Sequence, residues 1–136
     1  MKTKKDILFL LIALILAVII LLSFWFYSSK AYYPTLPFEG ISKKEVVEKL
    51  DKSNNELVEL SKVNGFYWLG YSGNQQEGRD KVIREMEDQG LKYDSYEGSG
   101  IFFEGEGRII ITGQMWTTNY VLYKVPAESY LGAGDH

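Results

Sequence analysis

The chain has 136 residues, with 15 basic and 18 acidic side chains, one histidine and no cysteine. One histidine without a thiol offers no ligand set for a zinc or iron site, and His136, as the last residue, is poorly placed to serve a nucleophile. The net charge is −3, and the part beyond the N-terminal apolar run, at −5, would be repelled by nucleic-acid phosphates.

Lys2, Lys4 and Lys5 precede residues 7–26, ILFLLIALILAVIILLSFWF, a run of 20 with one hydroxyl, Ser23, and no charge. At about 1.5 Å per residue it reaches about 30 Å, the thickness of a bilayer's hydrocarbon core. The reading is a cytoplasmic tail over residues 1–6 and a transmembrane helix over residues 7–27, with the lipid bilayer as its partner. Lysines before the span, with Trp25 and Tyr27 at its far end, place the N-terminus in the cytoplasm and everything after the span outside. The alternative is a signal peptide cleaved after Ala31 and a secreted product. The length of the run and its bulky end, Phe24 to Tyr27, favour an uncleaved signal-anchor.

Removing Lys2, Lys4, Lys5 and Asp6 leaves 12 basic and 17 acidic residues beyond the span, a net −5. An exported domain without cysteine depends on packing alone. Together with the lysine-rich start, this points to a bacterial membrane protein.

Residues 28–41 read as a tether, because Pro34 and Pro37 oppose helix and Gly40 permits a turn. Tyr32, Tyr33 and Phe38 would draw it towards lipid headgroups or back onto the domain. An extracytoplasmic domain follows over residues 42–126. Ser42 and Glu45 form a capping box that opens an amphipathic helix to about Asp51. Ser53 and Glu56 form a second, predicting a further helix over residues 54–62, stopped by Asn64-Gly65. It remains open whether Asp51 to Asn54 break one helix or separate two. Residues 66–72, FYWLGYS, have no helical period and predict a strand. Val82, Ile83 and Met86 mark a helix over residues 76–89.

From residue 91 the pattern becomes short strands between glycine turns: 91–97, 101–104, 108–112 and 118–125. Such short links require antiparallel neighbours. Residues 127–136 read as a flexible tail. The expected fold is α+β: a transmembrane helix, then a small domain with helices packed on one face of a mainly antiparallel five-stranded sheet.

Strand alternation assigns Leu91, Tyr93, Ile101, Phe103, Ile109, Ile111, Val121, Tyr123 and Val125 to the helix side. On the opposite face it collects Tyr96, Phe102, Ile110, Tyr120 and Leu122, joined from the first strand by Tyr67 and Tyr71. Two readings compete for this set. The residues are cross-strand pairs worth roughly 0.2–1 kcal/mol each, or they form a docking surface for a protein, a glycan or a second copy. No catalytic, cofactor or metal set emerges. Gly98-Ser99-Gly100 and Gly105-Glu106-Gly107 lack the strand-to-helix setting of a phosphate loop and read as hairpin turns.

The functional expectation is thus a non-enzymatic, membrane-anchored interaction protein outside the cytoplasm. The alternative is a cell-wall-acting hydrolase using paired carboxylates such as Glu104 and Glu106 on a turn, or Glu85, Glu87 and Asp88 on a helix.

Overall fold

The computed structural model describes residues 3–130. The chain divides into two compact units, Met1–Tyr33 and Pro34–His136.

The first unit is α1, Lys4–Ser28, none of whose side chains is buried. Thr3 caps it reciprocally with Asp6: the Asp6 amide donates to the Thr3 hydroxyl at 3.3 Å, and the Thr3 amide to the Asp6 carboxylate at 3.2 Å. The helix is long and apolar enough to cross a membrane. Beyond Ser28, Lys30 takes a left-handed φ of 61° that ends the helical path. Tyr32 folds back to stack on Tyr27 (5.7 Å) and Tyr33 (4.8 Å), and the Lys30 ammonium lies 4.8 Å from the Tyr27 ring centre.

The second unit is α+β. Helix α2, Lys43–Asp51, opens at the expected N-cap, with the Glu45 amide donating to the Ser42 hydroxyl, one half of the expected capping box. Strands β1 (Val58–Val63) and β2 (Phe66–Ser72) follow, then α3 (Gln75–Asp88) capped by Asn74. Strands β3 (Lys92–Glu97), β4 (Gly100–Glu104), β5 (Arg108–Met115) and β6 (Tyr120–Pro126) complete one antiparallel sheet in the order β1-β2-β6-β5-β4-β3. The sheet therefore has six strands, not five.

The added strand replaces the helix expected over residues 54–62. Asn54 and Asn55 hold φ of 52° and 61°, which no helix start can use. Asn64 and Gly65 also lie at positive φ, 53° and 82°, while Val63 pairs with Phe66 across them. That is the two-residue type I′ hairpin that Asn-Gly favours, so this pair joins two strands and does not cap a helix.

The helices also lie on opposite faces, contrary to the one-face expectation. A Cβ built on Gly70 of β2 would lie 2.6 Å from a Leu50 methyl of α2 and 2.9 Å from a Leu60 methyl. A Cβ on Gly78 of α3 would instead meet the Tyr71 and Tyr123 rings. Gly70 and Tyr71 are adjacent in one strand, so α2 and α3 pack on opposite sides of it. The main core on the α3 face joins Val82 and Met86 to Leu69, Phe103, Ile111, Val121, Tyr123 and Val125. The α2 face buries Val46, Val47, Leu50, Leu60, Trp68 and Leu122. Apolar residues on both faces of β2 are what a strand covered on both sides requires.

Both edge strands are bulged, β1 between Glu59 and Ser61 and β3 between Tyr93 and Ser95. Bulges twist an edge away from further pairing. In the segment expected to be a flexible tail, Ala127–Ser129 form a 3-10 turn and Tyr130 packs edge-on against Tyr67 at 5.1 Å. The remainder of that segment, with His136, lies outside the described residues.

Candidate functional site

The seven residues expected on one open face divide three ways. Tyr67 and Tyr71 lie with the α3 core, since β2 pairs Tyr67 with Val125 and Tyr71 with Val121. Tyr96 is also on that side. The bulge at Asp94 resets the alternation, pairing Ser95 with Phe102 and Tyr96 with Ile101. Tyr96 remains 50% exposed, with the Arg79 guanidinium of α3 3.9 Å from its ring centre.

Tyr120 and Leu122 do point to the opposite face, but both are buried under cover. The Tyr120 hydroxyl donates to the Asp51 carboxylate at the end of α2, at 2.5 Å. Leu122 pairs with Gly70 beneath Leu50. Only Phe102 and Ile110 stay on an uncovered part of the face, directly opposite one another in β4 and β5. Ile110 is 46% exposed, and the Arg108 guanidinium lies 4.6 Å from the Phe102 ring centre.

Part of the cover comes from residues 34–39, expected to be tether. Phe38 is buried and stacks on Trp68 with ring centres 4.9 Å apart. The Trp116 indole N–H donates to the Pro34 carbonyl at 2.9 Å, and the Ser61 hydroxyl to the Glu39 carbonyl at 2.8 Å. This strap thus runs from the β5–β6 loop to β2 and β1. Sequence reasoning did not single out Trp68 or Trp116. The available signal was that both are large indoles whose N–H needs a partner when buried.

Two tyrosines are electrostatically distinctive. Tyr123 is 2% exposed and its hydroxyl has no hydrogen-bond partner among the described residues. Burial raises its pKa well above the ordinary tyrosine value, against a smaller opposing effect of Arg79. Tyr130 is also shifted upward, by burial and then by Glu85 and Glu59.

The carboxylates considered for hydrolysis lie at the β4–β5 turn and on α3. Glu104 lines an open recess of about 410 Å³ with Asp94, Arg108 and the turn glycines Gly105 and Gly107, and Glu106 lines an adjoining recess that shares Gly107 and Arg108 and adds Leu91 and Glu128. Glu87 and Asp88 are exposed on α3. Among the described residues no group of three or more acidic or histidine side chains is arranged to hold a metal ion.

The chain matches no known protein family, no curated protein and no solved structure.

Proposed function

We propose that this chain is a single-pass, membrane-anchored interaction protein, with its N-terminus in the cytoplasm and its α+β domain on the other side. The observation that carries the reading is α1: 25 residues, apolar around the whole circumference from Ile7 onwards, and nowhere buried by protein. A helix that is apolar all round needs a protein core or a lipid phase to cover it. The aromatic cluster of Phe26, Tyr27, Tyr32 and Tyr33 at its C-terminal end, with Lys30, has the composition of a headgroup-level anchor.

The domain then acts by contact. Its docking surface is the uncovered half of the α2 face, where Phe102 and Ile110 form an apolar pair beside Arg108. The partner is a protein or a glycan outside the membrane.

The absence of cysteine makes the test direct. A single cysteine replacing Ser99, at the exposed β3–β4 turn, is treated in intact cells with a membrane-impermeant maleimide. Labelling without permeabilisation is expected; labelling only after permeabilisation would overturn the orientation. A photo-crosslinking residue at Ile110 should then form adducts that an equivalent residue at exposed Glu87 does not. Equal adducts at both positions would remove the docking surface.

A further inference from the structure

The C-terminal end of α1 carries a recess that the helix alone would not make. The hydroxyls of Ser28 and Ser29 donate to the carbonyls of Trp25 and Phe26, so two acceptors of the last turn are satisfied locally. Lys30 then turns the chain at its left-handed φ of 61°, and the Tyr33 amide donates back to the Lys30 carbonyl at 3.0 Å. This reversal lays Tyr32 against the helix, stacked on Tyr27 and with its ring centre 6.0 Å from that of Phe26. The result is an open recess of about 560 Å³ lined by Leu22, Ser23, Trp25, Phe26, Tyr27 and Tyr32.

Three features of this recess match three parts of one lipid. Its lining is largely apolar and continues the exposed apolar surface of α1, which suits an acyl chain. Ser23, the one hydroxyl of residues 7–26, opens on it, and its side chain makes no hydrogen bond among the described residues. A hydroxyl next to hydrocarbon gains from an acceptor, and the ester carbonyl of a lipid is one. Beside the recess, the Lys30 ammonium lies 4.8 Å from the centre of the Tyr27 ring and has no acidic partner among the described residues. A phosphodiester supplies the missing charge.

We propose that this recess binds one anionic glycerophospholipid, with an acyl chain along Leu22, Phe26 and Tyr32, an ester carbonyl at Ser23 and the phosphate at Lys30. The site depends on α1 lying in lipid, the reading proposed above. A choline or ethanolamine headgroup carries its own cation beside the phosphate, which competes with Lys30 and is repelled by it, whereas a glycerol headgroup carries none. One lysine at a lipid surface is worth about a fivefold preference for anionic lipid.

The test uses the full chain in phosphatidylcholine vesicles that contain an equal fraction of acyl-brominated phosphatidylglycerol or acyl-brominated phosphatidylcholine, and it reads the quenching of Trp25. The emission of Trp68 and Trp116 is measured in Trp25→Phe and subtracted. Brominated phosphatidylglycerol should quench Trp25 as a ligand bound about fivefold more tightly than brominated phosphatidylcholine. Lys30→Gln should abolish that preference. Tyr32→Ser keeps the lysine but removes one wall of the recess, and it too should bring the two lipids to parity. Attraction to the lysine without a site would leave the preference intact in Tyr32→Ser and overturn the proposal. So would equal quenching by the two lipids in the unchanged chain, which leaves α1 in the bilayer with ordinary boundary lipid. No quenching by either lipid would overturn the anchoring and the site together.

Discussion

The buried hydroxyl of Tyr123 makes a prediction whose sign is unusual, because removing an atom from the core should strengthen the fold. Tyr123 is 2% exposed, and its hydroxyl oxygen sits against Gly78 of α3 without a hydrogen-bond partner among the described residues. A buried polar group left unsatisfied costs about 1–3 kcal/mol. The void left by Tyr123→Phe has about the volume of one oxygen and costs a few tenths of a kcal/mol at about 24 cal/mol per Å³. The net expectation is a gain of about 1 kcal/mol.

Gly78→Ala alone should have the opposite effect. Its Cβ would overlap the Tyr123 hydroxyl and lie 3.1 Å from the Tyr71 ring. Overpacking of about 1–3 kcal/mol then outweighs the helix-propensity gain of about 1 kcal/mol. With the hydroxyl removed, the nearest atoms are Tyr71 Cδ1 at 3.1 Å and Tyr123 Cζ at 3.2 Å, which need give way only by a few tenths of an ångström. The double variant should thus be close to neutral relative to Tyr123→Phe, a coupling of about 1–2 kcal/mol. Urea unfolding followed by tryptophan fluorescence measures all four corners, since Trp68 and Trp116 are both buried in the domain. A Tyr123→Phe variant that loses stability, or additivity across the cycle, would refute the reasoning.

Three further outcomes follow from the same contacts. Folded Tyr123 stays neutral at pH values where the unfolded chain's tyrosines, with a pKa of about 10, have ionised. The folded state then binds more protons, so stability should fall as pH rises above about 10, by up to about 1.4 kcal/mol per pH unit, and Tyr123→Phe should flatten the decline in a pH series of unfolding curves. Tyr120→Phe removes the 2.5 Å bond to Asp51, 69 residues away in sequence, and should cost about 1–2 kcal/mol of unfolding free energy, read as a lower urea midpoint. Gly65→Ala introduces a Cβ that meets nothing within 4 Å but forces a side chain into φ 82°, so a loss of about 1–2 kcal/mol would measure the hairpin's backbone requirement alone; no loss would mean the turn is not left-handed at that position.

Much of the fold is legible locally. The apolar run of α1, the Ser42 cap of α2 and the aromatic strand β2 are each specified within a few consecutive residues. The period-two alternation of Ile101, Phe103, Ile109 and Ile111 likewise marks their burial side, because it depends only on the pleat. Residues 57–60 were not legible in this way, since a short apolar cluster fits a helix face and a strand equally well. Asn64-Gly65 compounds the ambiguity, being able to stop a helix or turn a hairpin. The strand prevailed because β2 offers β1 a ladder of partners interrupted only at the bulge between Glu59 and Ser61.

The candidate surface was less legible than the fold, and for a physical reason. Its definition required knowing what covers each side chain, and covering is non-local. Tyr120 is hidden by Asp51 and its helix, Leu122 lies opposite Gly70 beneath Leu50, and Trp68 by Phe38 of a segment that composition marks only as tether. Tyr96 changes sides through one extra residue in β3, which a sequence pattern cannot locate without the partner strand. The sequence alone therefore determined the identity of most elements and the lipid-compatible character of α1, because those depend on neighbouring residues. Tertiary structure decided the sixth strand, the pairing of β2 with β6 and the two-sided cover of the sheet, because those depend on contacts between residues far apart in the chain.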